Sequence, residues 1–259
     1  MEFYRLALKD FIESKDYMSY ANLSEKIGDE YNRLGNQYDA QKHWTNAQTK
    51  YANLDTDAYI NISNNKIIPA LVSSGSIDAI AKCYYQIAKT LKLEYDYRAS
   101  DYYEKSINYY ESTTSSTQLS IVYKEYAHYL LEIGLIDKSM YYFEKIIYAS
   151  MDTRFGDLII VPDIFTLLLC VLTKNDVVLA NNKVKEYCDV SNTFNDSREH
   201  KFIVKIIECL ESNDESTFIT SSADYNKIKS LKPHEVKLLL EIKKKIAENN
   251  DVHNDFDLT

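Results

Sequence analysis

The chain has 259 residues, 45% of them hydrophobic, with only 5 Gly and 3 Pro. It is long enough to bury a full core without covalent staples, and too poor in turn formers for an all-β protein. The formal net charge of −9 argues against nucleic acid, whose phosphates need a basic footprint, and is compatible with a basic protein partner.

At the start, Met1-Glu2-Phe3-Tyr4-Arg5 carries no apolar signal core. Helical periodicity then runs through almost the whole chain. One pattern recurs: a small residue, an aromatic pair at i+3 and i+4, and another small or apolar residue at i+7. Ala40, His43, Trp44 and Ala47 show it, and Ala81, Tyr84, Tyr85 and Ala88 repeat it. In a second phase it returns in Ala99, Tyr102, Tyr103 and Ser106, then in Ser139, Tyr142, Phe143 and Ile146. Both repeats have a period of about 40 residues, the size of a tetratricopeptide-like pair of helices. The four positions share one helix face: the small residues admit a neighbouring helix and the aromatic pair fills the space beside it. Tyrosine, present 23 times, suits such half-buried seams because its ring packs while its hydroxyl reaches water.

Turn signals punctuate the pattern at Gly35-Asn36, Ser73 to Ser76, Thr113 to Ser116, Gly134, Thr153 to Gly156, Asn175-Asp176 and Asn195 to Ser197. Asp196 or Ser197 is the expected N-cap, with Glu199 in the first turn that follows. The apolar run Leu158 to Leu172 is broken by Pro162, Asp163 and Thr166 and is too short to span a bilayer. Cys83, Cys170, Cys188 and Cys209 lie in apolar runs without Cys-x-x-Cys spacing, the pattern of buried thiols in a reducing, cytoplasmic compartment and not of a zinc site. The expected fold is all-α: a right-handed superhelical stack of tetratricopeptide-like hairpins over residues 1–195. A continuous helical cap over 196–250 and an acidic tail over 251–259 complete it.

No catalytic constellation stands out. The five histidines are scattered and the five glycines are isolated, so no phosphate loop exists. Acidic pairs on helices read as solvated faces. An enzyme is not expected, nor a cofactor or metal.

Phe143-Glu144, Met151-Asp152, Asp196 to Glu199, Ala223-Asp224-Tyr225, Ile242-Lys243-Lys244 and Asp255 to Thr259 follow one another in an order that resembles the alpha/beta soluble NSF attachment proteins (SNAPs). The likeness runs from Glu2 onward and is of a divergent, N-terminally short member, such as some large DNA viruses encode. It implies an adaptor without catalytic activity, which wraps a syntaxin-containing SNARE four-helix bundle and engages the AAA ATPase NSF. Carried over by position, Asp176, Glu208, Glu211, Asp255, Asp257 and Leu258 would face NSF, Leu258 stimulating its ATPase. Ser212 stands where relatives have another Glu. Lys82 and Arg198 would face the SNARE bundle, with Lys124 close enough to substitute for a neighbouring basic position. Other basic positions of the family appear as Leu119, Tyr123, Pro162 and Ser230, which implies weaker SNARE contacts. The apolar loop that dips into the membrane in relatives has no counterpart before Phe3-Tyr4, so membrane association would run through SNAREs. A SNAP mimic that docks on NSF and inhibits trafficking, and a generic peptide-binding scaffold, are the competing readings.

Overall fold

Helices carry the chain, and no strand occurs among the described residues, 2–151 and 156–256, of this computed structural model. Two units divide inside helix α8, Met1–Val122 and Tyr123–Thr259. The first unit comprises α1 (Glu2–Glu13), α2 (Tyr17–Arg33), α3 (Gln37–Tyr51), α4 (Thr56–Ile62), α5 (Ile68–Ser73), α6 (Ile77–Leu93), α7 (Ala99–Glu111) and the start of α8 (Ser116–Glu132). Its two most closely packed hairpins are α2 with α3 and α6 with α7.

The small–aromatic pattern builds both hairpins. Ala40, Ala47, Ala81, Ala88 and Ala99 are buried, as are Trp44, Tyr85, Tyr102 and Tyr103. Trp44 lies against Gly28 of α2, and its Nε1–H donates to Asp29 Oδ1 at 3.0 Å. Where serine replaces alanine in the pattern, its hydroxyl donates across to the neighbouring helix: Ser106 Oγ reaches the Ala81 carbonyl at 2.8 Å. A buried hydroxyl is tolerated because it is bonded.

Between α4 and α5 the helix widens into a π-turn, Ser63–Ile67, in which the Ile68 N–H bonds to the Ser63 carbonyl five residues back. Pro69 follows directly, and a proline removes one helical donor and crowds the preceding turn. Lys66 leaves this segment to pair with Glu25 and Asp29 of α2, each at 2.7 Å.

The turns obey backbone chemistry with two exceptions, Lys15 (φ 58°) and Tyr95. Gly35, Gly75 and Gly134 adopt positive φ, as do Asn175 and Asn213, the residue types that tolerate the left-handed region. Asp16, Asn36 and Asp55 then accept from the backbone N–H three residues on and open α2, α3 and α4. Tyr95 has φ 57° in the same post-helical position without the packing that would offset the strain, since its side chain is 96% exposed. Tyr95→Gly is expected to stabilise the fold by about 0.5–1 kcal/mol, the strain relieved less the entropy glycine loses. Chemical denaturation checks this; an unchanged or lower midpoint would mean the turn is unstrained.

The second unit takes the rest of α8 with α9 (Ile136–Met151), α10 (Gly156–Ile159), α11 (Val161–Leu172), α12 (Val177–Val190), α13 (Asn192–Asn195), α14 (Arg198–Ser212), α15 (Glu215–Ile228) and α16 (Pro233–Phe256). Here Ser139 Oγ donates to the Ala127 carbonyl at 2.8 Å, the counterpart of the Ser106 bond. At the centre stands α11, packed by α9, α12, α14 and α16, with every residue from Ile164 to Leu172 buried. A helix apolar on all sides belongs inside a core or a membrane; no helix among the described residues is long and apolar enough to cross a membrane. Phe165, Phe202 and Tyr225 lock α11, α14 and α15 together, the last two rings stacked at 4.4 Å. The boundary expected at residue 196 falls between α13 and α14, inside this unit. Cys83, Cys170 and Cys209 are buried as expected, Cys188 is only half-buried, all four are unbridged, and burial raises their thiol pKa values.

Candidate functional site

Charged surfaces, not a cleft with reactive groups, distinguish this molecule. Among the described residues no cluster of His, Cys, Asp and Glu is arranged to hold a metal ion.

An acidic edge forms in the second unit where α12 begins and α14 ends. Asp176 caps α12, its carboxylate accepting from the Leu179 N–H at 2.8 Å. Glu211, in the last turn of α14, accepts from Asn181 of α12 at 3.4 Å, so the structure brings Asp176 and Glu211 onto touching elements. Glu208 lies one turn back and pairs with Lys205 at 2.8 Å. Just beyond, Asp214 caps α15 by accepting from the Thr217 N–H at 2.9 Å, and its bonds from Thr217 hold its carboxyl below the ordinary range. Glu211 meets the negative end of its helix dipole, an arrangement that costs a few tenths of a kcal/mol and up to about 1. Helix stability therefore does not explain an acid at that position. Asp214 escaped sequence analysis because a capping role and a surface role use the same residue type. Of the tail, Asp255 has its backbone in α16 but its side chain lies outside the described residues, as do Asp257 and Leu258.

The basic candidates separate by unit. Lys82 is exposed on α6 in the first unit, at the lip of a groove of about 240 Å³ that Gln41, Thr45 and Gln48 of α3 also line. Arg198 opens α14 in the second unit and borders a groove of about 570 Å³ with Pro162, Lys201 and Lys229. Its helix starts there because Ser197 caps it, Oγ accepting from the His200 N–H at 3.0 Å. Glu199 beside it is buried. Burial pushes its carboxyl pKa up, but the Lys229 ammonium in close contact, a backbone N–H bond and the Arg198 charge together outweigh this and leave it below its ordinary value. The ion pair to Glu199 is made by Lys229. Lys201 stands three residues after Arg198 on the same face of α14, whereas Lys229, at the end of α15, joins the groove through tertiary packing that no spacing in the sequence displays.

Lys124 has a different commitment. Its ammonium lies 2.8 Å from the carboxylate of Asp163, one residue after Pro162 in α11. Asp163 is 2% exposed, and burial raises its pKa against the opposing pull of Lys124. An ammonium holding a buried carboxylate is less available to a partner than an exposed one.

A scaffold of helical hairpins whose individuality lies in acidic and basic surfaces is an adaptor by class. Residues 1–247 match the family model of the soluble NSF attachment protein, SNAP, and the chain belongs to that family. It is 23% identical to an alpha-soluble NSF attachment protein of Vitis vinifera over 86% of this chain and 86% of that one. Similarity to the beta-soluble NSF attachment protein of Bos taurus is 24% over 98% of this chain and 85% of the relative. A soluble NSF attachment protein homolog of fowlpox virus is 24% identical over 81% of this chain and 76% of its own length.

Proposed function

We propose that this protein is a cytoplasmic adaptor that binds SNARE complexes and recruits and stimulates the ATPase NSF for SNARE disassembly in vesicle fusion. The observation that carries this reading is the family match across residues 1–247, since the relatives' names are those of NSF attachment proteins. Asp176, Glu208 and Glu211 supply an acidic edge for NSF, which Asp255, Asp257 and Leu258 extend. Lys82 and Arg198 supply contacts to the SNARE bundle, Arg198 with Lys201 and Lys229. Lys124 contributes mainly through its hold on Asp163. Membrane association is peripheral, through the SNAREs.

Exposed charge pairs steer encounter and weaken with salt. Glu208→Lys/Glu211→Lys is therefore expected to weaken NSF binding about tenfold or more at low salt and to flatten its salt dependence, measured by equilibrium binding across a salt series. Wild-type affinity in the double variant would remove this edge from the interface.

A second reading is favoured by Tyr123. By the family likeness it takes a basic position, yet it is buried and packs its ring against Tyr142 at 5.6 Å. With Leu119, Pro162 and Ser230 also uncharged, the chain holds SNAREs weakly and occupies NSF as an inhibitory mimic.

A further inference from the structure

We propose that Tyr95 and Tyr97, in the loop between α6 and α7, form a phosphorylation site for a tyrosine kinase that prefers acidic flanks. Of the 23 tyrosines, these are the two that no helix holds. A tyrosine kinase takes its target residue in a non-helical segment whose ring projects into the active site. The other twenty-one would require a helix to unwind first, including Tyr38, which is 80% exposed but lies in the first turn of α3. Tyr95 is 96% exposed and Tyr97 84% exposed.

The backbone gives an independent reason to look here. Most residues with positive φ are Gly or Asn, and Lys15 and Tyr95 are the others among the described residues. An aromatic at such a position is disfavoured by local sterics, and full exposure denies it any compensating contact. A residue kept against local stability, with its hydroxyl presented to solvent, points to use at the surface.

The flanks define the class of enzyme. The segment reads Glu94-Tyr95-Asp96-Tyr97-Arg98. Asp55 and Asp57 face it across a hollow of about 370 Å³ that Glu94 and Arg98 also line. Arg98 is engaged by Asp96 at 2.7 Å and by Asp57 at 3.3 Å, so the tip presents mainly negative charge, which suits a basic substrate groove. In the reaction the tyrosine Oη attacks the γ-phosphorus of Mg-ATP. The Oη–P bond forms as the bond to the β–γ bridging oxygen breaks, ADP leaves, and the phenolic proton passes to the kinase's base. Each phosphate adds a charge of about −1.5 to −2 at neutral pH. Placed beside Arg98, it competes with Asp57 for the guanidinium that ties α7 to α4.

The test uses the full chain, natively folded, with a purified acid-directed tyrosine kinase and Mg-ATP, and phosphosites mapped by mass spectrometry. The expected result is phosphate on Tyr95, Tyr97 or both. Initial incorporation should fall at least about tenfold in Tyr95→Phe/Tyr97→Phe and stay at the wild-type rate in Tyr38→Phe. Circular dichroism should show the Phe variants folded, since neither ring is packed. Phosphate on helical tyrosines instead, wild-type incorporation in the double variant, or no incorporation into the folded chain when a peptide of residues 90–101 is modified would each overturn the proposal.

Discussion

Lys124→Ala is expected to destabilise the second unit by about 2–3 kcal/mol at neutral pH. The substitution strands the Asp163 carboxylate, 2% exposed, without the ammonium now 2.8 Å away. Breaking a fully buried pair from one side costs about 3–5 kcal/mol; the Lys124 side chain is 40% exposed, so the pair is partly screened and the effect smaller. Burial already leaves the carboxyl above its ordinary value of 3.8 despite Lys124. The folded state therefore holds this proton more tightly than the unfolded chain. A carboxyl raised in this way contributes stability that is present in acid and lost as pH rises through the folded-state value. Removing Lys124 raises that value further. The Lys124→Ala defect is thus widest at neutral pH and narrows as pH falls towards about 4. Lys124→Met/Asp163→Leu, which removes both charges and keeps volume, is expected to recover most of the loss. Urea denaturation at several pH values measures all three; a defect independent of pH would mean that Lys124 acts through packing alone.

The second large effect centres on Gly28, where helix propensity and packing disagree in sign. Alanine is better than glycine inside a helix by about 0.8–1 kcal/mol, so on propensity alone Gly28→Ala stabilises α2. The added Cβ, however, would stand 2.4 Å from Trp44 Cδ1 and 2.6 Å from Nε1. That indole is buried and tied to Asp29 by its hydrogen bond, so it has little room to move. Overpacking costs about 1–3 kcal/mol, occasionally more. The net expectation is a loss of about 1–2 kcal/mol in the first unit. In a Trp44→Ala background the two shortest contacts are gone and the Ala40 carbonyl at 3.1 Å remains, so the same substitution becomes near neutral or stabilising. That reversal of sign in a double-mutant cycle separates a specific contact from a general intolerance of α2. Gly28→Ala stabilising the wild-type protein would show that the helices can separate at no cost.

The helical-hairpin pattern was legible because it depends on one helix face. Every i+4 aromatic of the four quartets, Trp44, Tyr85, Tyr103 and Phe143, is buried, and the small residues Ala40, Ala81, Ala99 and Ser139 lie at 0% exposure. Gly35, Gly75, Gly134, Asn175 and Ser197 marked turns and a cap by backbone chemistry that survives in any context. Tyr95 was unreadable as a turn for the opposite reason: tyrosine does not ordinarily take that conformation. The π-turn at Ser63–Ile67 left no mark either, since its residues carry the same periodicity as a plain helix.

For the candidate surfaces the limits are different. Asp176, Glu208 and Glu211 came from positional likeness, and the geometry adds that Asn181 of α12, the helix Asp176 caps, bonds to Glu211 of α14. Asp163 showed in the sequence merely as a break in an apolar run; its meaning depends on Lys124, 39 positions earlier in the chain. Charge was visible along the sequence, but its commitment to inner or outer partners was not, because helix packing decides it.

The measurement that tests the adaptor reading most directly is disassembly of a purified SNARE complex by NSF and ATP with this protein as the sole attachment protein. The account predicts NSF-dependent disassembly that weakens as salt rises and falls sharply with Glu208→Lys/Glu211→Lys. Failure to bind either NSF or the SNARE complex, in a chain shown to be folded, would contradict it.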